Sequence, residues 1–316
     1  MSSSASPLLV VGSIGLDTVE TRAGKRVDVL GGAASYFSVA ASFLAPVRLT
    51  GVVGTDFPDA HTKLFESHAV DLAGLERVPG KTFRWSGVYA PDFSTRTTLD
   101  TQLNVFSDFR PKLPAAWTDS QYVFLANIDP VLQLSVLEQT EKAGQVGSKP
   151  KFVACDTMNF WIEGKRPELL NLLKRVDMLL LNDEEARQLS GQANLPAAAR
   201  AIRALGPRAV VIKRGDAGAL LFHEGGVFAA PAFPIENVVD PTGAGDSFGG
   251  GFMGWIAREG DTSPSTIRTA MILGSVLASF SVEDFSLDRF KRLDLAQIRE
   301  RFAAFADLVH FEKIKL

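Results

Sequence analysis

From Tyr122 to Lys213 the chain keeps one rhythm, and that rhythm leaves little choice of fold. Unbroken apolar runs recur at Tyr122-Val123-Phe124-Leu125-Ala126-Asn127, Phe152-Val153-Ala154-Cys155-Asp156, Met178-Leu179-Leu180-Leu181-Asn182 and residues 208–213. Between and beside them lie segments of helical length, over 130–143, 165–175, 183–190 and 196–205. A strand that is apolar on both faces must be covered on both faces, so the pattern predicts a parallel sheet with helices on each side. Right-handed crossovers then bring the loops after the strands to one edge, where open sheets bind ligands. Polar residues gather at those ends, in Asn182-Asp183-Glu184-Glu185 and in Lys213-Arg214-Gly215-Asp216-Ala217-Gly218.

The flanking regions extend this plan. Leu8 to Gly12 and Val47 to Val53 read as further buried strands, and residues 60–70 as a helix. Thr18 to Leu30 alternates loosely around a hairpin tip at Gly24-Lys25, and Phe83 to Phe109 mixes aromatic and Thr-rich alternation that predicts two or three strands. Ile267 to Phe280 is an apolar helix, and residues 288–305 form an amphipathic one. At 316 residues the chain exceeds the usual single core, so one large domain with an appendage, or two domains, is expected.

The charge balance is -3 with no block of like charge, which gives neither nucleic acid nor membrane a surface to bind. Cys155 is the one cysteine, so no internal disulfide forms, and a cytoplasmic, reducing location fits. Met1 to Pro7 is polar and Ser-rich, without the regions of a signal peptide, and is expected to fray. No apolar run is long and clean enough to span a bilayer. His61 and His68 lack a metal-spaced partner, and His223 falls at a turn, so all three are expected at the surface.

One stretch carries chemistry. Asp240-Pro241-Thr242-Gly243-Ala244-Gly245-Asp246-Ser247-Phe248-Gly249-Gly250-Gly251-Phe252 follows an apolar, strand-like approach and leads into Met253-Gly254-Trp255. It reads as a small-residue turn opening a buried helix. The first N–H groups of a helix have no intrahelical partner, and the helix dipole adds positive potential there. Gly243, Ala244 and Gly245 carry little side chain, so a phosphate can approach those N–H groups closely. Asp246, a carboxylate in an anion site, is either a helix-start charge or a base set to take a proton.

Asp-Pro-Thr-Gly-Ala-Gly-Asp-Ser-Phe followed by small residues resembles the signature of the ribokinase-like, PfkB-family carbohydrate kinases. The resemblance implies one ribokinase-like α/β domain over 1–316, mostly parallel with helices on both faces, and a small β-sheet lid from about 13–31 and 81–109. It also implies an ATP-dependent kinase acting on a sugar or nucleoside hydroxyl. Asp246 is then the base, and the N–H groups of Ala244, Gly245 and Asp246 hold the transferring phosphoryl group. There is no Gly-Lys-Ser/Thr after a glycine loop, as a Walker P-loop requires, so the anion turn carries what a P-loop lysine would otherwise share.

Other positions follow the family residue by residue. Asp17, after the first strand, is similar to the Asp that binds substrate hydroxyls; alone it is also an ordinary turn Asp. Gly31-Gly32 resembles the paired glycines that let the backbone approach the sugar. Tyr36 stands where the family usually has Asn, which bears on acceptor identity or on helix packing. Gly51-Val52-Val53-Gly54-Thr55-Asp56 is similar to the family's Gly-x-x-Gly-x-Asp. Asn104 falls where an Asn often contacts substrate. Asn182 and Glu185 resemble the Asn-x-x-Glu pair that organises Mg2+ and its waters, although a helix cap with an acidic first turn fits the same residues. Lys213, Gly215 and Gly218 match a turn close to ATP, Thr242 belongs to the signature, and Ser281 to Asp284 border the adenine. Members often need a monovalent cation such as K+, which places Asp240 beside it. Their lids often pair, so a homodimer through the lid is a further expectation.

Neutral ribosyl acceptors come first, with Tyr36 and the lid aromatics available to stack on a base. A sugar phosphate clamped by Arg84, Arg96 or Lys213 is the alternative within the family. A catalytically silent sugar- or nucleotide-binding protein is the alternative outside it.

Overall fold

The computed structural model describes residues 5–141, 149–310 and 312. The chain opens with β1 (Leu8–Val11) and passes at once into a hairpin, β2 (Gly15–Thr21) and β3 (Gly24–Gly31). It continues through α1 (Ala33–Ser42), β4 (Val47–Gly54), α2 (Asp59–Ser67) and β5 (Asp71–Val78) to a second hairpin, β6 (Phe83–Tyr89) and β7 (Arg96–Gln102). The alternating part is β8 (Tyr122–Leu125), α3 (Pro130–Glu141), β9 (Phe152–Asp156), α4 (Asn159–Gly164), α5 (Arg166–Leu173), β10 (Met178–Asn182), α6 (Asp183–Ser190), α7 (Leu195–Arg203) and β11 (Ala209–Lys213). β12 (Ala219–His223), β13 (Gly226–Ala230), α8 (Ala244–Glu259), α9 (Pro264–Ser281) and α10 (Leu295–Leu308) complete it.

The large sheet has nine strands in the order β13-β12-β11-β10-β9-β8-β1-β4-β5. β1 pairs in parallel with β4 on one side and β8 on the other, with Leu8 opposite both Val47 and Tyr122. Strand order therefore reverses beside β1, the place where open α/β sheets leave a crevice at the strand ends. Among the described strands of this sheet, β12 alone is reversed, antiparallel to both β11 and β13. One face buries Val10, Phe124 and Leu180 under Phe37 of α1, Phe252 of α8 and Met271 of α9. The other buries Leu9, Val123 and Leu179 under Leu137 of α3, Leu172 of α5 and Ile202 of α7. Each such side chain contributes about 1.5–3 kcal/mol on burial, which is why the apolar strands dictate this layering.

The glycine run of α8 is a packing notch. A Cβ at Gly250 would lie 2.4 Å from the Phe37 carbonyl oxygen of α1, and one at Gly251 would lie 2.7 Å from that of Leu273 in α9. Small residues thus let α1 and α9 close on α8 and fix where the head of α8 points.

The second sheet has four strands in the order β3-β2-β6-β7. Its two hairpins are antiparallel and are joined by parallel pairing of β2 with β6. It rests against the segments that flank the head of α8. Thr21 Oγ1 donates to the Val239 carbonyl at 2.8 Å, and Thr242 Oγ1 donates to Tyr89 Oη at 3.1 Å. The Ser286 hydroxyl donates to the Leu30 carbonyl.

Several expectations are corrected. The approach to Asp240 is not strand-like: residues 231–239 form no regular element. Pro231 and Pro234 lack N–H donors there, and the Val239 N–H goes to the Val282 carbonyl at 2.8 Å. The last helix begins at Leu295, not 288, because Asp294 caps it by accepting from Gln297 N–H at 2.9 Å. The first hairpin turns at Arg22-Ala23, not at Gly24-Lys25; of the two or three strands expected over 83–109, two form, followed by a 3-10 turn over 104–108. β5 and α4 were not expected. His61 and His68 are half-buried, not surface residues, and burial lowers both pKa values. His68 Nδ1 lies 3.0 Å from Ser42 Oγ. Residues 142–143 of the expected 130–143 helix, and Met1 to Ser4 of the tail, lie outside the described residues.

Candidate active site

The turn before α8 is held open by a residue only glycine suits. Gly243 has φ 74°, and a Cβ there would lie 2.3 Å from the Tyr36 ring. The Ala244 N–H is spent on the Pro241 carbonyl at 3.2 Å, and that of Ser247 on Gly243 at 2.8 Å. This corrects the expectation of three free donors. Two remain, the N–H groups of Gly245 and Asp246, which have no partner from another described residue.

Around this head the strand ends bring their charges. Lys213, at the end of β11, places its ammonium against Gly245, where a Cβ would lie 2.8 Å from Nζ. It makes no ion pair within 4.0 Å among the described residues. Asp246 is partly buried; desolvation raises its carboxyl pKa, while Lys213 and Arg96 oppose the rise.

Asp17 stands in β2 at 4% exposure, with its carboxylate against the Gly31 backbone. A Cβ at Gly31 would lie 2.0 Å from Oδ2, so the first glycine of the pair is what admits the carboxylate. Gly32 has φ 91°; its N–H supports Asp17, while Oδ1 of Asp17 is buried without a partner. Burial, and next the negative charges of Asp240 and Asp246, raise its pKa to about 8. Asp240 is 1% exposed and accepts from Thr242 N–H at 2.9 Å and Ser286 N–H at 3.2 Å. Its pKa is raised by burial.

Asn182 and Glu185 form a reciprocal cap on α6. Asn182 Oδ1 accepts from Glu185 N–H at 2.8 Å, and Glu185 Oε2 accepts from Asn182 N–H at 2.8 Å. The cap leaves Asn182 Nδ2 and Glu185 Oε1 without described partners, so one polar atom of each side chain is not used by the cap. From the lid, Arg96 stacks on Trp85 at 5.4 Å, and its charge is felt by Asp17, Asp246 and Glu185.

Some expected residues stand apart. Asn104 donates its amide to the Thr82 carbonyl at 2.9 Å and ties the end of the second hairpin to its start. Ser281 is fully buried at the end of α9, with its hydroxyl facing no open cleft. Gly215 lies exposed in the turn, whereas a Cβ at Gly218 would lie 2.1 Å from the Ala230 carbonyl, so Gly218 closes the hairpin. Tyr36 is 1% exposed with its ring against Gly243, which removes it as a stacking platform for a base. Trp85 donates Nε1–H to Thr98 Oγ1 at 3.2 Å, and Phe83 packs on Phe106 at 5.6 Å; these aromatics build the lid itself. Arg84 is paired with Asp56 at 2.8 Å and Asp28 at 3.3 Å, so it is no free clamp.

Asp156 was missed. It ends β9 at 4% exposure, opposite Leu180 of β10, and its Oδ1 is buried without a partner. Burial, then the negative charge of Asp246, pushes its pKa well up, while Lys213 opposes. The signal was an apolar strand ending in a carboxylate on the same edge as Asn182 and Lys213.

Comparison with known proteins gives the family and the fold. Residues 9–290 match the family described as pfkB family carbohydrate kinase. A cytidine kinase of Thermococcus kodakarensis is 32% identical over 257 residues, covering 79% of this chain and 88% of that one. A nucleoside kinase of Methanothermobacter thermautotrophicus is 28% identical over 269 residues, covering 80% of this chain and 78% of that one. Among solved structures, the Burkholderia thailandensis nucleoside kinase in complex with inosine superposes with a TM-score of 0.74 at 19% identity, over 94% of this chain and 97% of that one.

Proposed function

The chain belongs to the pfkB family of carbohydrate kinases, ATP-dependent enzymes of phosphoryl transfer to a sugar or nucleoside hydroxyl, and on that premise we propose that its acceptor is a neutral nucleoside, cytidine first. The observation that carries this choice is the charge of the acceptor side. Asp17 and Asp240 are buried there, the charges of Asp240 and Asp246 oppose ionisation of Asp17, and Arg84 is already spent on two carboxylates. Such a pocket repels a phosphorylated acceptor and suits hydroxyl donors.

In the proposed reaction Asp17 accepts from ribosyl hydroxyls and orients the acceptor. Asp246 takes the proton of the attacking hydroxyl as its oxygen bonds to the terminal phosphorus and the bond from phosphorus to the bridging oxygen of ATP breaks. Bases of this kind supply about 10²–10⁴-fold. The N–H groups of Gly245 and Asp246 and the Lys213 ammonium hold the negative charge that gathers on the phosphoryl oxygens. Arg96 and Tyr89 come over the site with the lid, which excludes water as a competing acceptor.

Mg2+ fits this donor set: Oδ1 of Asp156 is buried without a partner, and the charge of Lys213, unpaired among the described residues, is felt by both Asp156 and Glu185, a pattern that a metal-bound phosphate would complete. When bound, the ion would neutralise phosphate oxygens. A monovalent cation would sit beside Asp240, a buried carboxylate held by two N–H groups with no cationic side chain among the influences on it. The lid exposes Val27, Leu99 and Leu103, and pairing of two lids is the proposed assembly, read by sedimentation. No helix among the described residues is long and apolar enough to cross a membrane; a cytoplasmic site of action is part of the proposal.

The test is ATP consumption with a panel of nucleosides, free sugars and sugar phosphates. Turnover with nucleosides supports the reading. Turnover confined to sugar phosphates overturns the acceptor. Silence across the panel, with ligands still raising the melting temperature, favours the binding protein.

A further inference from the structure

We propose that Phe160 of α4 is the stacking platform for the acceptor's base, the residue that separates a nucleoside from a free sugar. The inference rests on the nucleoside reading above and names a residue outside the signature, the glycine pair and the lid.

The acceptor end of the cleft is fixed where strand order reverses. β8 runs parallel to β1, and the Ala126 N–H donates to the Val11 carbonyl at 2.9 Å. A Cβ at Gly12 would lie 2.8 Å from Cβ of Ala126 and 2.9 Å from Cβ of Ala34. Ala126 therefore meets Gly12 and the first turn of α1, the helix that the Gly31-Gly32 pair leads into. The Ala33 N–H goes to the Ser13 hydroxyl at 3.1 Å, and that of Ala34 to the Ser13 carbonyl at 3.0 Å. Asp17 stands against Gly31. The residue after Ala126 thus emerges next to the groups that receive the acceptor's hydroxyls.

That residue is Asn127, and both polar atoms of its side chain are committed to α4 and its cap. Oδ1 accepts from Trp161 Nε1–H at 2.9 Å, and Nδ2 donates to Met158 Sδ at 3.2 Å. Farther along the same loop, Asp129 pairs with Lys165 at 2.7 Å. Met158 precedes α4 and Lys165 follows it, so the helix is tied to the loop after β8 at both ends. Phe160 stands edge-to-face on Trp161, with ring centroids 4.8 Å apart at 82°. It is 62% exposed, while Thr157 and Ile162 on either side of it are buried.

A large apolar ring left in water forgoes what burial gives. A planar base laid over Phe160 covers it, and stacking needs only the π-face that every base has. Asn127 is already engaged and reads no base edge, so this wall grips the base by its face. Free ribose has no base to lay there. The aromatics first expected to stack are otherwise engaged: Tyr36 is shut in against Gly243, and Trp85 and Phe83 build the lid.

The experiment is calorimetric titration with cytidine, and separately with ADP and Mg2+, on the wild type, Phe160→Ala, Phe160→Leu and Phe160→Tyr, each checked by its melting curve. The Ala and Leu variants should bind cytidine about 10-fold or more weakly, and the Tyr variant within about threefold of the wild type. Leucine is apolar but not planar, so its failure separates stacking from apolar cover. ADP should bind all four proteins alike, and so should ribose measured as a competitor of cytidine. In turnover the loss should fall on KM for cytidine, with kcat kept. Cytidine bound by folded Phe160→Ala or Phe160→Leu as tightly as by the wild type overturns the inference and leaves the nucleoside reading standing. An equal loss of ADP binding in those variants marks a structural role and overturns it too. A wild type that binds ribose but no nucleoside overturns both.

Discussion

Acceptor binding should release a proton. Asp17 is buried, and its pKa is raised from 3.8 to about 8, so at pH 7 only about one molecule in ten carries it ionised. Acceptor hydroxyls donate to the ionised form and pull the pKa down on binding. Between about pH 6 and 8 each unit of acidification should therefore weaken the acceptor about tenfold, a cost of about 1.4 kcal/mol, with a plateau above about pH 8. The assay is titration of cytidine without ATP, from about pH 6 to 9, in two buffers of different ionisation enthalpy. Close to one proton per cytidine should leave at pH 7 and almost none at pH 9. Asp17→Asn should abolish both the slope and the release.

Folding reports the same group with a definite sign. Unfolded, Asp17 titrates near its ordinary value; folded, it keeps its proton to about pH 8. The native state thus holds an extra proton across that window, and stability should fall as pH rises through it. The Asn variant should lose this part of the pH slope in its melting temperature. Cytidine binding by the wild type with a flat pH profile and no proton release would refute the argument.

Asp246→Asn should bind ADP within a few-fold of the wild type but turn over at least about 100-fold more slowly; near-normal kcat would remove Asp246 as the base. Gly243→Ala must adopt φ 74° and press a methyl into the Tyr36 ring. The left-handed backbone alone costs about 1–2 kcal/mol, so a lower melting temperature and lost turnover are expected, and a native melting curve with native rates would contradict the turn geometry. Replacing a bulky organic cation with K+ should raise kcat/KM, and Asp240→Asn should abolish the response; equal rates in both salts would exclude a cation beside Asp240.

The strand rhythm was legible because burial on both faces of β8 to β11 needs unbroken apolar runs, here of strand length and separated by segments of helical length. The turn at Gly243 was legible because small residues before a helix have few other uses. β5 escaped notice because it is an edge strand with sparse apolar residues, Leu72, Leu75 and Val78, among Asp71, Glu76 and Arg77. Asp156 escaped because its meaning lies in what faces it across the sheet, and pairing of β9 with β10 is invisible to local spacing. Tyr36 shows the opposite limit: its position in the helix was plain, but only packing reveals that its ring lies against Gly243. The free N–H of Ala244 failed for a local reason, a tight turn back to Pro241 that consumes the donor. Asp294 followed by Gln297 was a readable helix start that the longer amphipathic pattern obscured.

The three hydrogen bonds from the small sheet do not end on neutral ground. Tyr89 meets Thr242, Thr21 meets Val239, and Leu30 meets Ser286, whose own N–H holds Asp240. The small sheet is thus moored to both sides of Asp240, and any displacement of that sheet must pull on the backbone that holds this carboxylate.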